Sequence, residues 1–65
     1  MPAFRKEHID ALFGEIEDNY KDKPEREQLH RDAHLAIALH DAGRDIPGEI
    51  DDRVVSLVAK HKPAD

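Results

Sequence analysis

The sequence has no cysteine and no threonine, a single serine at position 56, and no apolar run approaching the roughly 20 residues of a membrane span. Each absence removes a class of explanation. Without cysteine there is no disulfide framework, no zinc thiolate site and no thiolate nucleophile, and the composition fits a reducing compartment. The lone hydroxyl falls inside a helical pattern, where no turn presents it to a histidine and an acid, so a catalytic triad has no nucleophile to be built around. Gly14, Gly43 and Gly48 are scattered, which leaves no phosphate loop or dinucleotide fingerprint. No N-terminal run reads as a signal peptide. The expected location is the cytoplasm, and no membrane partner is expected.

Sixty-five residues make one domain. A chain of this size buries only about 60% of the surface that its unfolded form exposes, so its stability margin is thin. Small scaffolds make up the shortfall with disulfides, a metal or a second subunit, and here only the last two routes are open. Fifteen acidic and ten basic residues give a net charge of -5. That balance, with the basic residues spread along the chain, speaks against a nucleic-acid partner. The five histidines equal the acidic excess in number, so protonating them near about pH 5.5 to 6 would neutralise the chain and alter association.

Three helical patterns are legible, over about 5–19, 24–42 and 48–61, with a tail at 62–65. In the first, Ile9, Leu12, Phe13, Ile16 and Tyr20 fall within about 80 degrees of one another, while Phe4 projects elsewhere. Arg5 and Lys6 lie at its positive end and Glu15, Glu17 and Asp18 at its negative end, the reverse of what the macrodipole favours. Gly14, on the opposite side from the stripe, marks either close approach of a partner helix or a tolerated cost.

Asp22, Pro24 and Glu25 predict a capping box at the start of the second helix, and Gly43 ends it. Leu29, Ala33, Ala36, Ile37 and His40 form one stripe, and Leu35, Leu39 and Ala42 form another. Together they span about 200 degrees, more than a one-sided surface helix uses. The expected architecture is therefore all-α: a small three-helix domain whose central helix is packed by both neighbours, assembled as a helical dimer.

Pro47 predicts the start of the third helix, with Ile46 and Ile50 stapling its entry. Ile50, Val54, Leu57 and Val58 form its stripe, and Val55 lies to one side. A helix-turn-helix reading of the last two helices fails on charge, since Glu49, Asp51 and Asp52 would face phosphates with only Arg53 to answer.

Two sets of residues invite chemistry. Glu27, His30 and His34 have metal-ligand spacing along one helix, and the Glu-x-x-His step resembles half of the di-iron motif of ferritin-like bundles. That resemblance implies a divalent transition metal, with the second half supplied by another copy. In helical projection the strip faces away from both apolar stripes. His40 and His61 each continue an apolar stripe near a helix C-terminus, where the dipole favours imidazolium and burial favours the neutral ring, which makes them candidates for pH-sensitive association.

The leading expectation is a small non-catalytic interaction or regulatory protein without a cofactor, binding a protein partner or itself through Leu35, Leu39, Ala42 and Val55. The alternatives are a metal-binding helical oligomer using Glu27, His30 and His34, and an acidic inhibitor that docks on a basic protein surface.

Overall fold

The computed structural model describes residues 3–63. It is all-α: α1 spans Lys6–Tyr20, α2 Arg26–Asp41 and α3 Asp52–His61. Each helix packs against the other two. The residues that close around the centre are Leu12 and Ile16 from α1, Leu29, Ala33, Ala36 and Ile37 from α2, and Val54, Leu57 and Val58 from α3, joined by Phe4 and Ile50 from outside the helices. Ile9, Phe13, Tyr20 and Ile46 pack on the rim of this core.

The local signals explain most helix ends. Gly43 takes a left-handed φ of 73°, its N–H donates to the His40 carbonyl (3.0 Å) and the Arg44 N–H donates to the Leu39 carbonyl (2.9 Å). This is a Schellman stop, and it needs a residue without a Cβ at that position. At the head of α3, the Asp51 carboxylate accepts the Arg53 N–H (2.9 Å), a conventional N-cap.

Two expected starts are corrected. The third helix begins at Asp52 rather than 48, because Pro47 opens a turn in which its carbonyl accepts the Ile50 N–H (3.2 Å), and Asp51 then supplies the better cap. The capping box at Asp22 and Glu25 does not form. Glu25 is the N-cap residue but is itself in a helical conformation, without a side-chain cap bond, whereas capping by a side chain uses an extended backbone. Tight turns instead carry the chain from α1, with Lys23 N–H donating to the Tyr20 carbonyl (3.0 Å) and Arg26 N–H to the Lys23 carbonyl (3.2 Å).

Phe4 is also corrected: it is a core residue, 7% exposed. It precedes α1, so a helical projection assigned it the wrong direction. Its ring meets His40 edge-on at 4.9 Å between centroids, and its N–H donates to Asp41 Oδ1 (2.9 Å), which fastens the start of the chain to the end of α2. Of the expected tail, Lys62 still donates its N–H to the Val58 carbonyl (2.8 Å), and residues 64–65 lie outside the described residues.

The reversed charges of α1 are answered by its neighbours. Arg26 of α2 grips both oxygens of Glu17, and Lys60 and His61 of α3 converge on Glu15. A helix that is poorly polarised alone thus becomes an acceptor surface for the other two. Gly14 is exposed, and a Cβ built on it meets nothing within 4 Å, so within this fold it is a cost without a contact. Gly14→Ala is expected to stabilise the chain by about 0.5 to 1 kcal/mol. Urea denaturation followed by circular dichroism checks this, and a loss of stability would mean that something packs at that position.

Candidate functional site

The four residues expected to meet a partner divide by exposure. Leu35 and Val55 are the exposed large hydrophobic residues among those described, at 48% and 37%. Leu39 is half-buried and Ala42 exposed. On α2 the spacing Leu35, Leu39, Ala42 keeps three apolar side chains along one edge, while the opposite stripe of Leu29, Ala33, Ala36 and Ile37 is consumed by the core. The excess apolar girth of α2 is therefore left uncovered within a single chain.

The Glu27, His30 and His34 strip does not face away from the apolar surfaces, and this expectation is corrected. Phe13 of α1 stacks on His30 (5.1 Å between centroids, 17° between planes) and lies against His34 (4.6 Å). Glu27 stays in solvent. His30 Nε2 is sealed from solvent without a hydrogen-bond partner, 3.7 Å from Glu17 Oε1, so the nearest acid to His30 comes from α1 rather than from Glu27. Among the described residues, no three His, Asp or Glu side chains stand where one ion could bind them all. The imidazoles of His30 and His34 flank an aromatic ring that wedges α1 onto α2.

His40 and His61 sit where their stripes placed them. The His40 side chain is 12% exposed, with Nδ1 3.3 Å from Asp41 Oδ1. His61 Nε2 is 2.8 Å from Glu15 Oε1, which Lys60 Nζ also reaches at 2.9 Å. These two bonds join the end of α3 to the middle of α1.

Asp32 is the functional-looking residue that sequence reasoning missed. It is buried at 7% exposure, with Oδ1 accepting from Gln28 Nε2 (2.8 Å) and Oδ2 from the Asp51 N–H (3.1 Å). A buried carboxylate in a small domain can signal catalysis, but these bonds give it structural employment, tying the middle of α2 to the cap of α3. Its position beside Ala33 at the edge of the buried stripe was the available signal.

Three carboxylates are held below their ordinary range. Arg53 does this to Asp51, through its guanidinium and its backbone N–H, and lowers it to about 2. Lys60 and then His61 lower Glu15 by hydrogen bonding, and Arg26 lowers Glu17. A carboxylate with a lower pKa folded than unfolded stabilises the fold fully above its unfolded pKa, and that stabilisation is lost as pH falls through the folded value. The urea midpoint is therefore expected to hold down to about pH 4.5 and to fall steadily toward pH 2. A flat profile across that window would contradict these three ion pairs.

Two concavities on the surface are shallow and open. One lies between α1 and α3 around Tyr20, Arg53, Ser56 and Lys60, and another around Glu17, Lys21 and Arg26. Among the described residues, no helix is long and apolar enough to cross a membrane. In comparisons with known proteins, the chain matches no family model, no curated protein and no solved structure.

Proposed function

We propose that this chain is a small cytoplasmic interaction protein without catalysis of its own, and that its first partner is a second copy of itself. The observation that carries this reading is the apolar edge of α2: Leu35 at 48% exposure, followed by Leu39 and Ala42, with Val55 of α3 at 37%. The core is complete without these residues, so they are not needed to fold one copy. A twofold contact between identical edges covers them with the fewest assumptions, because one self-complementary patch suffices. α2 would then be covered from two directions, by its own neighbours and by the other copy.

A standard interface takes about 800 Å² from each partner, a large share of the 4507 Å² that this chain exposes. The contact is accordingly expected to be modest in size and concentration-dependent. Leu35→Glu places a charge in the patch without touching the core. It is expected to shift the sedimenting species to a single chain while changing the stability of that chain by no more than about 0.5 kcal/mol. If wild type and variant sediment identically at the same concentration, the patch is not the contact.

A further inference from the structure

Arg31, Leu35, Ala38 and Ala42 follow one another along α2 at steps of four, three and four residues, the spacing that keeps side chains in one seam. All four are exposed, and the half-buried Leu39 flanks them. The seam changes in size and in charge from end to end. Among the described residues, Arg31 at one end forms no ion pair. At the other end lie the C-terminus of α2 and, just past it, the exposed Asp45. We propose that the second copy docks antiparallel across this seam, with Leu35 of each copy on Ala38 of the other and Arg31 of each over the C-terminal end of the other's α2, an orientation that rests on the self-association proposed above and adds its direction and register.

Side-chain size separates the two possible directions. In a parallel pair like meets like, so Leu35 stands against Leu35 and Ala38 against Ala38. The leucines then hold the helices apart, and the alanine layers lose contacts across the gap. In the antiparallel pair each central layer has one leucine and one alanine, and the helices close evenly at the density of a packed interior.

Charge points the same way. A parallel pair sets Arg31 beside Arg31. The antiparallel pair lays the aliphatic stem of Arg31 along Ala42 of the other copy and carries its guanidinium to the negative end of that helix. Three charged side chains stand at that end, Asp41, Arg44 and Asp45, and two of them are acidic, so their balance adds to the helix dipole. Glu27, one turn outward from Arg31 and exposed, is left beyond the end of the paired helix.

Sedimentation equilibrium and cysteine crosslinking on the full chain test this, and because the chain has no cysteine of its own each introduced thiol reports without background. Arg31→Gln should weaken self-association by about three- to thirtyfold, since each dimer loses two contacts of a cation with a helix end. Lys23→Gln makes the same change of charge at an exposed position outside the seam, and it should associate as wild type does. Ala42→Cys should stay uncrosslinked in a glutathione redox buffer, because the antiparallel register holds its two copies about 16 Å apart along the helices, beyond the reach of a disulfide. Mixed with Arg31→Cys it should give the mixed disulfide, because those two positions face each other, and thermal melts confirm that each variant is folded. Self-crosslinking of Ala42→Cys, or association of Arg31→Gln as tight as that of wild type, would overturn the antiparallel contact while leaving a dimer in place. A wild-type chain that stays single at every concentration would remove the dimer itself, and this contact with it.

Discussion

Leu29→Ala is expected to leave the chain largely unfolded at 25 °C. Leu29 has no exposed surface and is, among the described residues, one of the largest fully buried side chains, with Leu12, Ile16 and Val54. Removing its branched end withdraws apolar area from the core and leaves a cavity, and such changes cost about 2 to 5 kcal/mol. The upper part of that range applies because the same face of α2 continues with Ala33 and Ala36, whose methyl groups are too short to move into the space. A domain of 65 residues has a total stability of about 3 to 10 kcal/mol, and one with this surface-to-volume ratio belongs toward the lower end. Far-ultraviolet circular dichroism across a urea series measures the effect. A loss under about 1 kcal/mol would mean that α2 does not pack through this face.

Asp32→Ala is expected to cost about 1.5 to 3 kcal/mol, a large effect for a single polar side chain. The Asp51 N–H would lose its acceptor (3.1 Å) and the Gln28 amide would lose its anchor (2.8 Å). The Asp51 N–H is part-buried, so losing its acceptor carries a share of the desolvation cost of an unpaired donor. Because the lost bond spans 19 residues of chain and holds the cap of α3, the damage should concentrate there. Hydrogen exchange supplies the specific readout: the Asp51 amide should exchange much faster in the variant, while amides in the middle of α1 should follow global stability alone. Unchanged protection at Asp51 would show that Asp32 is not its acceptor in solution.

Much of the fold was legible because its information is local. The stripes on α1, α2 and α3 supply the buried residues, and Gly43 stops α2 by a mechanism that acts within four residues. The misreadings come from interactions that a single-helix projection cannot contain. Phe4 lies before α1, so its direction is set by His40 and by the Asp41 carboxylate at the far end of α2. Asp32 is paired with an amide that becomes its neighbour only when the loop after Gly43 folds back. His30 and His34 read as a solvent-facing strip because the contact of α1 with α2 extends beyond the apolar stripe, through the ring of Phe13. Pro47 and Asp51 competed for the start of α3, and the side chain that can accept an amide hydrogen won.

The candidate site follows the same division. That α2 carries more apolar surface than one core requires could be read from the spacing of Leu35, Leu39 and Ala42. What covers that surface is encoded in the partner rather than in this helix, and the proposal of a second copy rests on symmetry and on exposure at Leu35 and Val55.

Sedimentation equilibrium of the wild-type chain, from low to high micromolar concentration, tests that proposal most directly. A twofold contact gives an average mass that rises with concentration from one 7.4 kDa chain toward two. A compact, stable single chain at every concentration would contradict it.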